Sequence, residues 1–172
     1  FFISPIILLI TIIILIDDGF PVLFKQKRVG ENNCLFWIYK FRTMNVKTPE
    51  IPTHLLKSKQ KFFTNSGAFL RKYSLDELGQ LINIIKGDMK FIGPRPALYN
   101  QEDLINLRTK TKVHQQIPGI TGWAQVNGRD ELSISDKVKM DTYYRINKSF
   151  LLDIKIILLS ILKVFKAEGV SE

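Results

Sequence analysis

Two adjacent acidic residues, Asp76 and Glu77, are the side chains in this 172-residue sequence best suited to chemistry on a phosphate. They follow Ser74 and Leu75, and Ser-x-x-Glu is also the pattern of a helix capping box, with acids favoured in the first turn. A helix N-terminus attracts phosphate as well, through its unpaired backbone N–H groups. The pattern is therefore compatible both with capping and with catalysis.

Basic side chains near the acidic pair favour the catalytic interpretation. Arg71 lies one to two helical turns before the acids, and Arg95 is held between two prolines, so acid and base could converge with a phosphate between them. A carboxylate about 4 Å from a phosphate meets repulsion of roughly 4 kcal/mol per pair of unit charges at an effective dielectric constant of about 20. An aspartate can attack phosphorus only if cations cancel that repulsion.

Mg²⁺ is the cation that such a pair predicts, because it binds one or two protein carboxylates together with phosphate oxygens and water. One acid could then attack phosphorus while the other holds the metal, and arginines would stabilise charge on the phosphoryl oxygens. The sequence contains no GxxxxGK[ST], no GxGxxG after a strand and no Asp-x-Asp. Kinase and dehydrogenase activities are therefore not expected.

The charge of the chain predicts anionic partners. Lys and Arg number 25 against 16 acids, which gives a net charge of +9 and favours lipid headgroups, nucleotide diphosphates or nucleic acid. Charge alone does not choose among these. The single Cys34 excludes an intrachain disulfide, and His54 and His114 lack the spacing of zinc ligands. A reducing, cytoplasm-facing location is expected.

Residues 1–16 form an uncharged apolar run that predicts membrane association. As a helix the run would be roughly 24 Å long, which is short of the ~30 Å hydrocarbon core of a bilayer. Ser4-Pro5 lies inside it, and because proline kinks or starts a helix, a bent helix that enters and leaves the same leaflet is one interpretation. The alternatives are a spanning helix cut short by the start of the sequence, a signal-peptide core and a buried soluble helix.

A β-hairpin is predicted after this segment. Residues 30–33 (Gly-Glu-Asn-Asn) are typical of a turn between the β-prone runs at 22–28 and 35–43. Lys40 and Arg42 share one face of the second run, because side chains alternate with a period of two. That face is either an anion-binding surface or part of an edge strand with solvated charges. Residues 45–65 are predicted to be a surface loop with a short helical piece.

Helical patterns account for much of the remaining chain. Apolar residues recur at intervals of three and four positions from Gly67 to Gly87, and a kink is expected near Ser74. Residues 150–166 form an amphipathic helix whose apolar face either lies in a membrane interface or packs on the domain core. We therefore expect an α+β fold, in which a small, irregular catalytic domain rich in short helices replaces a regular Rossmann sheet.

Six motifs occur in order along much of the chain. They are Ser4-Pro5, Tyr39-Lys40-Phe41-Arg42-Thr43-Met44, Leu70-Arg71-Lys72-Tyr73-Ser74-Leu75-Asp76-Glu77, Lys86-Gly87-Asp88-Met89, Gly93-Pro94-Arg95-Pro96, and Pro118-Gly119-Ile120-Thr121-Gly122-Trp123-Ala124-Gln125-Val126-Asn127-Gly128-Arg129. Together they resemble the bacterial sugar transferases, which are the monotopic polyprenyl-phosphate phosphoglycosyl transferases. The resemblance implies a re-entrant membrane helix at residues 1–21, broken at Ser4-Pro5. It also implies a catalytic domain at residues 22–172, facing the cytoplasm at the bacterial inner membrane with amphipathic helices in the interface.

The resemblance also implies a two-step reaction with Mg²⁺ as cofactor. Asp76 would attack the β-phosphorus of a UDP-sugar, releasing UMP and leaving the sugar phosphate on the carboxylate. Undecaprenyl phosphate would then accept that group, giving the lipid-linked diphosphosugar on which a glycan is assembled. Glu77 would hold Mg²⁺. The substrate-binding residues would be Lys40, Arg42, Arg71, Arg95, Arg129 and Asp141.

Two features depart from the family pattern. Gly79 stands where proline commonly follows Asp-Glu-Leu, which leaves the local helix geometry uncertain, and residues 45–65 match poorly, so that no sugar preference is transferred from them. The alternative function is a non-enzymatic adaptor that binds a membrane surface or nucleic acid through its positive charge. It leaves the acidic pair and Pro-Arg-Pro unexplained. We therefore expect an enzyme without a nucleic-acid partner, and the sequence leaves homo-oligomerisation open.

Overall fold

The computed structural model describes residues 3–46, 48, 62–128 and 131–166. The helices are α1 Ser4–Asp18, α2 Gly67–Lys72, α3 Leu81–Lys86, α4 Glu102–Lys110, α5 Trp123–Val126, α6 Ile134–Asn147 and α7 Phe150–Lys166. The strands are β1 Leu23–Val29, β2 Leu35–Phe41, β3 Lys90–Ile92, β4 Ala97–Leu98 and β5 Gly119–Thr121, and 3-10 helices occur at Glu31–Asn33, Leu75–Gln80 and Val113–Gln115. The predicted mixed fold of short helices with little sheet is confirmed.

The chain divides into two compact units. The first contains Phe1–Phe24 and Tyr39–Gly79, and the second contains Lys25–Ile38 and Gln80–Ser171. The division predicted between residues 1–21 and 22–172 separates a membrane element from a catalytic domain. It stays a prediction, because it concerns environment rather than contacts.

The N-terminal helix α1 begins at Ser4 and places Pro5 in its first turn, where a missing backbone N–H does not interrupt the hydrogen bonding. It continues without a break to Asp18, and Gly19 ends it by donating its N–H to the carbonyl oxygen of Leu15 at 3.2 Å. The predicted break at Ser4-Pro5 is therefore not confirmed. In the described part of the chain, none of the helices combines the length and apolarity required to cross a bilayer.

One stripe of α1 packs into the core of the first unit. Ile10 and Ile14 are buried against Phe41 of β2 and Leu70 of α2. Each such side chain contributes roughly 1.5–3 kcal/mol by leaving water. Most other apolar side chains of α1 face outward; the exposed ones are Ile6, Leu8, Leu9, Ile12, Ile13 and Ile16. The helix is thus anchored along one side only.

The predicted hairpin is present, with β1 and β2 as neighbours in a sheet of order β2-β1-β4. The turn between them places Asn32 and Asn33 in the left-handed region, at φ +53° and +62°, which asparagine tolerates better than most residues. β4 joins β1 antiparallel, with Val29 opposite Ala97. β3 and β5 form a separate parallel pair.

The helical region from Gly67 to Gly87 is broken where the sequence predicts. α2 ends at Lys72, Ser74 has φ +54°, and a 3-10 helix then leads into α3. Gly87, with φ +83°, ends α3 in the left-handed conformation that favours glycine. The kink at Ser74 and the end at Gly87 are both confirmed, while most of the predicted loop at 45–65 lies outside the described residues.

The C-terminal helix α7 has the predicted bounds, and the structure decides which of its faces packs. Ile156 is fully buried against Val126 and Tyr144, and the Asp153 carboxylate accepts a hydrogen bond from the Tyr144 hydroxyl at 2.7 Å. The apolar face identified in the sequence points away from the core, with Leu158 57% and Phe165 80% exposed. Packing of that face on the domain core is therefore not observed.

Candidate active site

The acidic pair lies in the 3-10 helix Leu75–Gln80, directly after the sharp turn at Ser74. The backbone N–H of Glu77 donates to the carbonyl oxygen of Ser74 at 3.1 Å, and the N–H of Ser74 donates to the carbonyl oxygen of Arg71 at 2.9 Å. The N–H groups that a capping box would pair with side chains are therefore bonded to the backbone.

Asp76 and Glu77 are almost completely buried, with 6% and 8% of their surfaces exposed. Lys40 of β2 lies against both. Its Nζ donates to Oε1 of Glu77 at 2.8 Å and is 3.8 Å from Oδ2 of Asp76. Burying an unpaired carboxylate is costly, so the lysine supplies the opposite charge that this position needs. The predicted binding of substrate by Lys40 stays a prediction.

Gly79 explains how the acids come so close to β2. A Cβ added to Gly79 would lie 2.9 Å from Cα of Lys40 and 3.0 Å from the carbonyl oxygen of Tyr39. The 3-10 helix therefore rests directly on the strand backbone at this point. The departure from the family's proline thus coincides with a close approach between the two segments that carry the acids and the lysine.

Arg71 of α2 is a second cation whose charge interacts with the acidic pair. Its Nε donates to Oγ1 of Thr43 at 3.0 Å, and its guanidinium lies 5.1 Å from the ring centroid of Phe63. Burial lowers the pKa of Arg71 below its ordinary value, while the charges of Asp76 and Glu77 oppose that shift. The charge of Arg71 thus interacts with those of both acids, and its contact with substrate stays a prediction.

Arg42 turns its guanidinium toward the end of α1. Nη2 donates to the carbonyl oxygens of Asp18 at 2.9 Å and Gly19 at 2.7 Å, and Nη1 donates to that of Phe20 at 3.4 Å. The same Nη2 is 3.3 Å from the carboxylate of Asp18. Arg42 therefore binds the C-terminal end of α1 in this structure, and its contact with substrate stays a prediction.

The other candidate residues lie outside the first unit or outside the described residues. Arg95 is in the second unit, partly exposed between the buried Pro94 and Pro96. Asp141 is also in that unit, 1% exposed, and pairs with Arg108 at 2.6 Å. Burial raises the pKa of Asp141, and the guanidinium of Arg108 opposes the shift. Arg129 lies outside the described residues.

The donor set of the acidic pair fits Mg²⁺. Two adjacent carboxylates provide hard oxygen ligands, and Mg²⁺ binds with one or two such groups when phosphate oxygens and water complete its shell. Among the described residues there is no group of three or more His, Cys, Asp or Glu side chains that could hold a metal. A magnesium site at Asp76 and Glu77 would therefore depend on ligands from the substrate.

Comparison with known proteins gives the chain a family. The family profile described as bacterial sugar transferase matches residues 1–167. The chain belongs to this family. As a bacterial sugar transferase it is an enzyme, and the non-enzymatic adaptor considered from the sequence is not supported.

Three relatives show how far the similarity extends. The chain is 42% identical to the uncharacterized sugar transferase EpsL of Bacillus subtilis over 98% of the chain and 82% of EpsL. It is 36% identical to the UDP-glucose:undecaprenyl-phosphate glucose-1-phosphate transferase of Escherichia coli, over 95% of the chain and 37% of that protein. It is 34% identical to the UDP-N-acetylgalactosamine-undecaprenyl-phosphate N-acetylgalactosaminephosphotransferase of Aeromonas hydrophila, over 96% of the chain and 40% of that protein.

Sequence reasoning about this sugar transferase missed Arg108. In α4, Arg108 and Leu104 are the buried residues, four positions apart on one helix face. A charged residue at an apolar position of an amphipathic helix was the available signal, because such a charge is buried only when it is paired. Its partner Asp141 lies 33 residues away in the sequence, a separation that no local pattern reveals.

Proposed function

We propose that this enzyme transfers a sugar 1-phosphate from a UDP-sugar to undecaprenyl phosphate, with release of UMP, through a covalent intermediate on Asp76. The observation that carries the proposal is the buried pair Asp76 and Glu77 with the Lys40 ammonium against both carboxylates. The names of the E. coli and A. hydrophila relatives include the same acceptor with different sugars. The reaction class is therefore supported, and the sugar is left open.

In the first step, a carboxylate oxygen of Asp76 forms a bond to the β-phosphorus of the donor. The bond from that phosphorus to the bridging oxygen breaks, and the oxygen leaves with its electron pair as part of UMP. Asp76 needs no general base, since an ionised carboxylate is already a nucleophile. Arg71, in the same unit as Asp76, binds phosphate oxygens whose charge develops in the transition state. In this proposal Arg95 also binds a phosphate of the substrate. The product on the enzyme is an aspartyl sugar phosphate.

In the second step, a phosphate oxygen of the lipid acceptor attacks the same phosphorus and displaces Asp76 as the carboxylate. The product is a polyprenyl diphosphosugar, and the enzyme returns to its starting state. Splitting the transfer lets one site handle two anionic substrates in turn, so their phosphates need not be bound together. Lys40 stays beside Asp76 through both steps and stabilises the carboxylate when it leaves.

We propose that Glu77, with Asp76 beside it, holds Mg²⁺, which would neutralise the donor diphosphate and polarise its oxygens. The charges of Asp76, Glu77, Lys40 and Arg71 already sum to zero, since the two cations offset the two acids. A diphosphate therefore brings negative charge that these side chains do not compensate. We expect excess chelator to stop UMP release and added Mg²⁺ to restore it. Full activity in chelator would show that Glu77 has another role.

We further propose that the enzyme works at the cytoplasmic face of the bacterial inner membrane, with residues 1–21 as the membrane element. The support is the outward-facing apolar surface of α1 and of α7. Both substrates then meet at the interface, where one is soluble and the other is a lipid. Homo-oligomerisation stays a prediction.

The substitution Asp76→Asn tests the nucleophile. An amide has a similar shape but no negative charge, so we expect no detectable UMP release from any UDP-sugar, and no labelled adduct when the enzyme is incubated with radiolabelled donor alone. Asp136→Asn, which changes an exposed carboxylate on α6, is the control and should keep the native rate. Turnover at the native rate by Asp76→Asn would remove the covalent mechanism.

A further inference from the structure

The backbone of Pro94-Arg95-Pro96 is held at three successive carbonyl oxygens. That of Pro94 accepts from the N–H of Gly119 at 3.0 Å. That of Arg95 accepts from Nη1 of Arg108 at 2.7 Å, and that of Pro96 accepts from Nη1 of Arg28 at 3.2 Å. The donors come from β5, α4 and β1, so three different elements of the second unit fix one tripeptide.

The tripeptide itself has little freedom to move. Each proline fixes its own φ and restricts the residue before it. Gly93 adds a close backbone contact, because a Cβ on Gly119 would lie 2.1 Å from the N of Gly93, and a Cβ on Gly122 would lie 2.1 Å from its carbonyl oxygen. Within this buried stretch, Arg95 is the one residue that is partly exposed.

The hydrogen bond from Arg108 to the carbonyl oxygen of Arg95 depends on a buried ion pair. Arg108 uses Nε, at 3.0 Å, and Nη2, at 2.6 Å, to bind Oδ2 of Asp141, and this leaves Nη1 directed at the carbonyl oxygen of Arg95. A guanidinium is planar and rigid, so fixing two of its nitrogens also fixes the direction of the third. Asp141 of α6 therefore sets the orientation in which Arg108 meets the Arg95 backbone.

Stability alone gives a weak reason for such a pair. Replacing a buried ion pair by apolar side chains of similar volume is often neutral or stabilising. Arg108 and Asp141 are 9% and 1% exposed, and they belong to the second unit, whereas the acidic pair belongs to the first. What the pair supplies, and an apolar pair would not, is a directed donor to one carbonyl oxygen.

We propose that Arg108 and Asp141 are positioning residues, which hold the Arg95 backbone so that its guanidinium meets a substrate phosphate in one fixed geometry. The inference rests on the proposed function, in which Arg95 binds phosphate. An arginine binds phosphate through two parallel hydrogen bonds whose geometry is narrow. A displacement of about 1 Å at such a group lowers catalysis by up to about 10²-fold. Asp141 thus acts through Arg108 and Arg95.

The test removes both charges together, so that neither is left buried alone. In the full-length enzyme, Arg108→Leu combined with Asp141→Leu should keep a cooperative thermal transition. It should lower kcat for UMP release about tenfold or more, with a smaller change in KM for the donor. In an Arg95→Ala background the same double substitution should change kcat by less than about twofold, because the residue on which the pair acts has gone.

The conservative variant Arg108→Lys separates positioning from charge. Lysine can still pair with Asp141, but its single ammonium cannot direct a second donor as a guanidinium does. We expect its kcat to fall nearly as far as that of the double variant. Lys139→Met, which removes a cation from the exposed ion pair with Asp136 on α6, should keep the native kcat and KM.

Hydrogen exchange measures how firmly the backbone around Arg95 is held, and the measurement does not depend on enzyme activity. In the double variant, the amides of Arg95, Ala97 and Leu98 should exchange about tenfold faster or more, while those of α7 keep their native rates. Unchanged exchange at 95–98 would overturn the inference, whether or not the protein transfers sugar phosphate. So would losses in kcat that simply add to that of Arg95→Ala. A wild-type enzyme that releases no UMP from any UDP-sugar would instead defeat the proposed function.

Discussion

At the scale of single residues, the acidic site is a balance of two negative and two positive side chains. Asp76 and Glu77 are almost completely buried. Lys40 and Arg71 are cations whose charges interact with theirs. Because the Lys40 ammonium lies close to both carboxylates, its charge offsets the repulsion between these two adjacent acids. Removing Lys40 would take away the ammonium that lies against both buried carboxylates.

The substitution Lys40→Met tests this balance. We expect it to lower the free energy of unfolding by about 1–3 kcal/mol, the cost of leaving a buried acceptor without its partner, and to reduce UMP release strongly. Urea denaturation and an assay for UMP would measure the two effects. Lys72→Met removes an exposed cation from the neighbouring α2 and should change stability by no more than about 0.5 kcal/mol. Equal behaviour of the two variants would contradict the role of Lys40.

Residue types led to Asp76 and Glu77, and the family resemblance added Lys40, but neither led to every partner. Acidic pairs, arginines between prolines and a lysine on a strand face can all be read from the sequence. The carbonyl oxygens that Arg42 binds at the end of α1 cannot, because a backbone acceptor leaves no mark in residue type. The Ser-x-x-Glu pattern at Ser74 suggests a capping box that the structure does not form. Ser74 has a φ of +54°, and the backbone N–H groups of Ser74 and Glu77 donate to backbone carbonyl oxygens.

At the scale of elements, α1 and α2 are joined through the acidic end of α1. The carboxylate of Asp17 accepts from the backbone N–H of Ser66 at 2.7 Å, from its hydroxyl at 2.7 Å and from the amide of Asn65 at 2.8 Å. These hydrogen bonds, with the backbone N–H of Ser66 the largest contributor, lower the pKa of Asp17 below its ordinary value of 3.8. The negative charge is therefore part of the joint.

This joint predicts a pH dependence for Asp17→Asn. The pKa is lower in the folded state, so the unfolded chain binds the proton more tightly and the ionised form favours folding. The stability that wild type gains over the variant should be fully present at neutral pH, at no more than about 1 kcal/mol because the site is partly exposed. It should disappear as pH falls below 3.8 through the lowered folded value. Urea denaturation at both ends of this range measures it, and a difference that does not vary with pH would contradict the assignment.

Local patterns predicted the elements better than their packing. The 3.6-residue period located α7, and the turn chemistry at residues 30–33 located the hairpin, because both signals act over a few neighbouring residues. The period could not say which face of α7 would pack. Its core contact is Ile156, and the polar Asp153 faces inward to meet Tyr144. Burial of the Tyr144 ring, together with the hydrogen bond to Asp153, raises the pKa of Tyr144, which keeps the phenol as a donor.

At the scale of the whole molecule, a net charge of +9 accompanies extensive exposed apolar surface. The two properties suit an anionic membrane, since apolar side chains enter the lipid while basic ones remain among the headgroups. Two of the helices that contribute to the apolar surface, α1 in one unit and α7 in the other, each carry it on the side that does not pack on their own core.

Vesicle binding tests this arrangement. Leu158→Glu places a charge in the exposed apolar face of α7 and should weaken partition onto vesicles containing anionic phospholipid by about tenfold or more. Val46→Glu makes the same change in net charge at an exposed valine outside both helices, and should weaken it far less. Flotation with vesicles at two salt concentrations would separate the apolar and electrostatic parts. Equal losses in the two variants would indicate that charge alone holds the protein on lipid.

The alternation of side chains along β2 has a further consequence for how this family tolerates change. Lys40 of β2 meets the acids, and Arg42, one residue past the end of the strand, meets the end of α1. Inserting or deleting one residue upstream of them in the strand would turn Lys40 to the opposite face and shift Arg42 at the same time. Such an indel would uncouple the helix and the buried acidic pair together, so length variation between relatives should be confined to the turns on either side of this strand.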